Sequence, residues 1–247
     1  MSLKIGSSII GGIRRAANRN GLKLIVGYAV LGLIWQLTFY SAFVTWVETT
    51  EMSTEGLELP TIEAPLALLS VGAVISLLAL QYLTIVALRT FVDGHTKTIP
   101  REYYTRNIIY VLVNSILGSI AFGLLVTIGT VLLIIPGIIA YIAFLFMIVY
   151  ITVEDENFIA ALRDSWALTR GHWLRIFGLL VILGVGVGIF SGILSAVTNL
   201  VMTAAANQSL GTILSGVVAL PFSLFTLGII AEAYIQLRSA KSPAEEL

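Results

Sequence analysis

Side chains that could perform catalysis or bind a metal are few in this sequence. Cysteine is absent, and the two histidines, His95 and His172, lie far apart in the chain. Neighbouring carboxylates occur at Glu154-Asp155-Glu156 and at Glu245-Glu246, and we interpret both groups as solvated. A metal site usually needs three or four ligands at recognisable spacing, and the sequence has neither a serine-centred elbow nor a nucleotide loop. We therefore predict no catalytic residue, no metal ligand and no cofactor.

The composition is that of a membrane protein. Of the 247 residues, 57% are apolar and 11% are charged, whereas an average soluble domain has about 25% charged residues. The mean hydropathy is +0.97, and 14 Lys and Arg balance 14 Asp and Glu. These values exclude an ordinary soluble enzyme, a disordered protein and a basic nucleic-acid binder. The missing cysteines exclude disulfides and thiolate metal sites.

Long charge-free runs predict the number of membrane spans. The runs cover residues 24–47, 64–88, 107–153 and 176–231. A spanning helix needs about 20 apolar residues, so the first two runs fit one span each and the longer two must each turn back. We place these turns at Pro136-Gly137 and around residues 204–209. The predicted fold class is an all-α polytopic membrane protein with six transmembrane helices, arranged as three hairpins with cytoplasmic amphipathic linker helices.

These runs define three parts of the chain. Residues 1–21 are predicted to form a cytoplasmic amphipathic segment, residues 22–238 the membrane domain, and residues 239–247 a cytoplasmic tail. The six spans are predicted at residues 22–47, 64–92, 107–133, 136–153, 174–202 and 209–237.

The basic residues predict the orientation of these spans. All 14 Lys and Arg lie before the first charge-free run, between the second and third runs, between the third and fourth runs, or after the fourth run. The first of the other connections instead carries Glu48, Glu51, Glu55, Glu58 and Glu63. Because Lys and Arg resist translocation, short basic loops stay in the cytoplasm. We predict a multi-pass plasma-membrane protein with both termini cytoplasmic. The glycosylation pattern at Asn207 lies so close to the lipid that we interpret it as a chance match.

A similar basic segment precedes each pair of spans, at residues 14–20, 101–107 and 164–171. This pattern fits a threefold repeat, but any protein built from positive-inside hairpins would share it, so both interpretations stay open. The third linker is the best-formed amphipathic helix, since Phe158, Leu162, Trp166 and Thr169 share one face. We expect that face to lie in the lipid headgroups.

The linkers supply the predicted contacts with lipid or a partner protein. Cations and amphipathic rings are favoured at the membrane boundary. The predicted contact residues are Arg101, Tyr103, Tyr104, Arg106, Phe158, Arg163, Trp166, Arg170 and Trp173.

Few strongly polar side chains lie within the predicted spans; among them are Gln36, Gln81, Arg89, Asn114, Asn199 and Glu232. An ionisable residue inside a span is a functional candidate by default, but Glu232 lies close to Arg238 and hence near the inner boundary. We predict that Glu232 forms a structural ion pair with Arg89 or another cytoplasmic arginine. The alternative is a proton or cation site in a transporter.

Three glycines of the fifth span, Gly184, Gly188 and Gly192, are four residues apart and form a smooth strip. Small residues at this spacing allow close helix packing in membranes. The partner helix could belong to this chain or to a second subunit, so a homo-oligomer is one expectation.

Four stretches of the sequence together resemble a known family. They are IPREYYTR at residues 99–106, IPGI at 135–138, VEDENF at 153–158 and LRDSWALTRG at 162–171. The set resembles uncharacterised polytopic membrane proteins of salt-loving archaea, a family similar to the membrane domain of glycerophosphoryl diester phosphodiesterases. The resemblance implies a six-helix membrane domain of unknown activity and carries over no hydrolytic activity.

The sequence therefore favours a non-enzymatic membrane protein. We expect a scaffold or a lipid- or partner-organising component that acts at the cytoplasmic interface. Its expected partners are membrane lipids and a membrane or cytoplasmic protein, and no nucleic acid. The alternative is a small transporter or exporter with a pathway lined by Gln81, Asn114, Asn199 and Glu232. Lipid hydrolysis ranks below both because paired acid and base groups are missing.

Overall fold

All regular secondary structure in the described part of the chain is helical. The computed structural model describes residues 3–50, 59–205 and 208–241, except for the side chains at 199, 202–205, 208–217, 220 and 221. The helices are α1 (Ile5–Ala16), α2 (Arg19–Thr49), α3 (Leu66–Val92), α4 (Glu102–Thr105), α5 (Ile108–Leu132), α6 (Ile134–Ala143), α7 (Met147–Val153), α8 (Phe158–Thr169), α9 (Trp173–Ala205) and α10 (Gln208–Lys241). Three glutamates of the predicted outer loop (Glu51, Glu55 and Glu58) and Asn207 lie outside the described residues.

Helices long and apolar enough to cross a membrane agree with the predicted class. The described residues contain five such segments, at Arg19–Thr49, Leu66–Val92, Ile108–Leu132, Ile134–Val153 and Trp173–Thr198. Each coincides with one of the first five predicted spans. The sixth predicted span lies within α10, which is not among the five and many of whose side chains are not described. The chain is thus an all-helical membrane protein, and a sixth crossing stays a prediction.

The helix order repeats three times along the chain. A short helix (α1, α4 or α8) is followed within three residues by a long helix (α2, α5 or α9), and then by a second long helical segment (α3, α6 with α7, or α10). This order follows the threefold pattern of the sequence. The second linker departs from it, because α4 has four residues and is too short to be an amphipathic helix.

The chain divides into two compact units with different charge. The first unit comprises Met1–Leu22, Thr84–Gly184 and Phe225–Leu247, and the second comprises Lys23–Leu83 and Val185–Leu224. The first contains 13 of the 14 Lys and Arg together with nine Asp and Glu, whereas the second contains one lysine and five glutamates. The basic connections of the sequence therefore fall in the first unit.

Close contacts join α2 and α3 in the second unit. A Cβ added at Gly72 would lie 3.1 Å from Cγ2 of Thr38, and the N–H of Ile62 donates to Oγ of Ser41 at 2.9 Å. The rings of Phe190 and Phe222 stack with centroids 3.8 Å apart.

The turn in the third charge-free run lies at Leu133, slightly before the predicted Pro136-Gly137. Leu133 is extended (φ −162°, ψ 142°) and separates α5 from α6. Pro136 instead lies in the first turn of α6, where its missing N–H costs no helical hydrogen bond. Gly137 allows the two helices to approach, since an added Cβ would lie 2.0 Å from Oγ1 of Thr130.

A second interruption, between α6 and α7, is closed by side chains of α8. Ser165 Oγ donates to the carbonyl of Ala143 at 2.8 Å and accepts the N–H of Phe146 at 3.1 Å. Thr169 Oγ1 donates to the same Ala143 carbonyl at 3.3 Å. Inside a membrane protein, backbone groups freed by a helix break must find such partners. Helix α8 thus completes the fourth apolar segment.

This role corrects the predicted face of the third linker. The side of α8 that points inward carries Ala161, Ser165, Leu168 and Thr169, all buried. Large apolar side chains define the predicted face. In the structure, small and polar residues of α8 instead allow close packing and form hydrogen bonds with the free backbone groups. The predicted lipid-facing surface is therefore wrong for Thr169.

Candidate functional site

A buried arginine lies at the end of α3 and organises the polar part of the first unit. Arg89 is 1% exposed. Its Nη2 lies 2.8 Å from Oδ1 of Asp155, its Nε donates to the carbonyl of Thr152 at 2.7 Å, and its Nη1 donates to the carbonyl of Tyr103 at 3.1 Å. A buried charge is tolerated when an opposite charge and hydrogen bonds compensate it. Arg89 has both.

Asp155 shares its second oxygen with the linker before α5. Nε of Arg106 lies 3.1 Å from Oδ2 of Asp155, and Nδ2 of Asn107 donates to the same oxygen at 3.0 Å. Asp155 and Asn107 both have left-handed backbones, with φ of 55° and 46°. Asp and Asn tolerate this region better than most residues, so the sequence Glu-Asp-Glu-Asn can turn here into α8.

Glu154 joins the same loop to the last helix. It accepts a hydrogen bond from the hydroxyl of Tyr234 at 3.1 Å and forms an ion pair with Arg238. The guanidinium of Arg238 also lies over the Tyr234 ring, 5.8 Å from its centroid. Because Glu154 and Asp155 are both paired, our interpretation of this carboxylate group as solvated is wrong.

Glu232 completes the set through the first helix. Its Oε2 lies 2.6 Å from Nε of Arg15, and its Oε1 accepts a hydrogen bond from Gln236 at 3.2 Å. Arg15 also donates to the carbonyl of Phe91 at the end of α3. The predicted pairing of Glu232 with an arginine is confirmed, and the partner is Arg15 rather than Arg89.

Together these contacts join four helices, α1, α3, α7 and α10, to one another. Arg89 and Asp155 join α3 to the loop after α7, Glu154 and Arg238 join that loop to α10, and Arg15 joins α10 back to α3. Beneath the ties lies a shared apolar core that includes Leu88, Phe146, Val149, Tyr234 and Leu237. We call these three ties the collar.

The predicted interfacial residues divide into exposed and structural groups. Arg101, Tyr104, Arg163, Trp166 and Arg170 are exposed, as the prediction requires.

Four others have a structural environment. Tyr103 is buried, and its hydroxyl donates to Asp93. Burial, together with that hydrogen bond, raises the pKa of Tyr103 above its ordinary value, so the phenol stays protonated and keeps donating. Arg106 is half-buried against Asp155, Phe158 packs against the core at Val111, and Trp173 packs against the main core. The prediction of a lipid contact is therefore wrong for Tyr103.

The polar residues of the predicted transport pathway do not form a free polar lining where they are described. Asn114 is buried, donates to the carbonyl of Tyr110 at 2.9 Å and accepts the N–H of Phe158 at 3.0 Å. Glu232 is held by Arg15. Gln81 lies in the second unit, and the side chain of Asn199 is not described.

The glycine strip of α9 has no described neighbour. No described atom lies within 4 Å of a Cβ built at Gly184, Gly188 or Gly192. No described part of this chain therefore packs against the strip, and packing against a second subunit stays a prediction.

Several basic side chains of the first unit remain outside the collar. The exposed ones that form no ion pair with a described residue are Lys4, Arg14, Arg19, Lys97, Arg101, Arg170 and Arg175. Three carboxylates that are described in this unit, Asp93, Glu102 and Glu156, also lack a basic partner in an ion pair. Cations thus exceed anions among the unpaired groups.

The pKa of Glu156 is shifted towards neutral pH. Burial, then the neighbouring charge of Asp164 and a hydrogen bond with it, raise the pKa of Glu156 to about 7, and Glu154 adds to the increase while Arg163 opposes it. Two carboxyl groups that hydrogen-bond to each other need a shared proton. No described residues form a cluster of three or more metal-ligating side chains.

We expect Glu156→Gln to stabilise the protein at pH 8 by about 1–2 kcal/mol, because a 1-unit shift is about 1.4 kcal/mol and solvent screens this partly exposed site. A raised carboxyl pKa makes the folded state bind the extra proton, so wild-type stability falls as pH rises from about 4.5 to about 7. Thermal unfolding of both proteins in detergent at pH 4.5 and pH 8 measures this. Equal stability differences at the two pH values would contradict it.

Comparison with known proteins gives one match. The family model described as "Domain of unknown function (DUF7847)" matches residues 3–237, almost the entire chain. No curated protein and no solved structure matches the chain.

Proposed function

Because the chain belongs to the DUF7847 family, whose function is unknown, we propose its function from the charge distribution of the first unit. It is a non-enzymatic integral membrane protein that binds anionic lipids with the exposed, unpaired Lys and Arg of that unit. We place this surface on the cytoplasmic side of the plasma membrane with both termini, because basic connections resist translocation. The resemblance to phosphodiesterase membrane domains contributes nothing to this proposal.

The excess of unpaired cations carries the proposal. Seven Lys and Arg of the first unit are exposed and form no ion pair with a described residue, against three described carboxylates without a basic partner. A basic residue next to the membrane contributes about 1 kcal/mol towards an anionic leaflet. Exposed Tyr104 and Trp166 are of the type that favours the headgroup level.

The collar supports this role because it pairs carboxylates of the first unit. In the collar, the carboxylates Glu154, Asp155 and Glu232 each form an ion pair with an arginine. These carboxylates are therefore already compensated by Arg15, Arg89 and Arg238, and the exposed Lys and Arg outside the collar keep an excess of positive charge.

The alternative, a transporter lined by Gln81, Asn114, Asn199 and Glu232, has less support. A transport site needs polar groups that can exchange partners, whereas Asn114 and Glu232 are both held by partners from other helices. Proton pathways also use several buried carboxylates.

The test is the relative affinity for two lipids. We expect the reconstituted full chain to prefer brominated phosphatidylglycerol over brominated phosphatidylcholine, measured by quenching of tryptophan fluorescence. The preference should weaken at high salt because exposed charges are screened. Arg170→Gln with Arg175→Gln should reduce the preference by about tenfold or more, since each cation contributes about 1 kcal/mol.

The matched control is Arg163→Gln, which removes an exposed arginine already paired with Asp164. It should change the preference less than either unpaired arginine does. Equal affinity for the two lipids at low salt would overturn the proposal.

A further inference from the structure

A cleft of about 310 Å³ lies within the first unit, where α1 and α10 meet the end of α3 and the turn after it. This volume is at the lower end of the range for small-molecule sites. Its polar lining residues are Arg14, Arg15, Asn18, Thr90, His95, Thr96 and Glu232. None of the predicted interfacial residues lies in it.

The charge of this lining is positive. Glu232 is the one carboxylate among the lining residues, and both of its oxygens are occupied, by Arg15 and Gln236. Arg14 is exposed and forms no ion pair with any described residue. One guanidinium is therefore left without a counterion, beside a neutralised pair.

The turn after α3 brings further donors to the same place. Gly94 has a left-handed backbone (φ 73°), and a Cβ there would lie 3.4 Å from Nη1 of Arg15. A residue with a side chain is strained in this conformation, so glycine allows the turn to approach the guanidinium. His95 and Thr96 follow immediately and also line the cleft; their side chains carry an imidazole and a hydroxyl.

We propose that this cleft binds a phosphate group. An uncompensated guanidinium next to a second one, with hydroxyl and imidazole donors, is the donor set that recognises phosphate oxygens. The phosphate comes either from a lipid headgroup, in which case the inference rests on the proposed function, or from a soluble phosphate. The volume exceeds that of the anion alone and leaves room for an esterified group.

The experiment uses the full chain and two variants that each remove one unpaired, exposed arginine. Arg14→Gln changes the cleft, and Arg170→Gln is the matched control outside it. One arm titrates inorganic phosphate into detergent-solubilised protein against chloride of equal ionic strength, observed by ³¹P NMR. The other arm measures the preference for phosphatidic acid over phosphatidylcholine in bilayers. In both variants the removed side chain makes no ion pair with a described residue, so both should fold.

Either source gives a distinct positive result. Saturable binding of inorganic phosphate that Arg14→Gln weakens at least tenfold, and Arg170→Gln does not, assigns the cleft to a soluble phosphate. A phosphatidic acid preference that falls at least tenfold in Arg14→Gln and by no more than about fivefold, the contribution of one exposed cation, in Arg170→Gln, without binding of inorganic phosphate, assigns it to a headgroup.

Two results would overturn the inference. Equal, small losses of lipid preference in the two variants, with no binding of inorganic phosphate, would overturn the cleft and leave the general lipid-binding function standing. Absence of both phosphate binding and anionic lipid preference would overturn both proposals.

Discussion

Replacing Asp155 with asparagine is expected to lower the free energy of unfolding by about 3–5 kcal/mol, the usual cost of leaving a buried charge without its partner. Arg89 is 1% exposed and has Asp155 as its ion-pair partner. The asparagine keeps the size of the side chain and tolerates the left-handed backbone at this position. The loss therefore reports the charge rather than the turn. Chemical or thermal unfolding of the full chain in detergent micelles measures it.

The control for this prediction is Glu102→Gln. Glu102 is exposed and forms no ion pair with a described residue, so its replacement should change stability by about 0.5 kcal/mol or less. A loss below about 1 kcal/mol for Asp155→Asn would show that Arg89 finds enough compensation from the carbonyls of Thr152 and Tyr103. The collar would then not depend on this ion pair.

The sequence predicts the helices of this protein well because charge decides where a membrane helix ends. The predicted span at residues 64–92 corresponds to α3 at Leu66–Val92, and the predicted span at 107–133 to α5 at Ile108–Leu132. Turning points are harder to place. The sequence indicates Pro136 as the residue that ends the helix, but a proline fits the first turn of a helix. The extended residue is Leu133, which lies before α6 begins.

The partners within the collar could not be predicted because they are far apart in sequence. Position alone indicated that Glu232 would need an arginine, but several were equally near the predicted boundary. Which one it meets depends on how α1 crosses α10. Asp155 and Arg89 are 66 residues apart, and no spacing rule links them. The sequence does indicate that Arg89 requires an anionic partner, because it directly follows a long charge-free run. It does not indicate which carboxylate provides the partner.

Contacts of small residues were missed for a related reason. The spacing of four between Ile5, Ile9 and Ile13 predicts that these large apolar side chains form the packed face of α1. Ile5 and Ile9 do pack against the core, but Ile13 is 43% exposed. The residues of α1 that are fully covered are Ser8, Gly12 and Ala16, at a spacing of four. Their small size permits the close crossing that places Arg15 beside Glu232.

That crossing leads to the second large prediction: Gly12→Ala should destabilise the protein by about 3 kcal/mol or more. A Cβ at Gly12 would lie 2.3 Å from Cα and 2.5 Å from N of Ile229 in α10. Overpacking typically costs about 1–3 kcal/mol when side chains can yield, but here the neighbour is backbone and cannot rotate away. The two helices must separate, which also pulls Arg15 from Glu232. Unfolding in detergent micelles measures the loss.

Gly6→Ala provides the matched control on the same helix. No described atom lies within 4 Å of a Cβ at Gly6, so the substitution meets open space and gains helix propensity, up to about 1 kcal/mol. The two variants make the same chemical change in α1 and should shift stability in opposite directions. If Gly12→Ala were neutral or stabilising, α1 would not pack on α10 at this distance, and the route from Arg15 to Glu232 that closes the collar would be wrong.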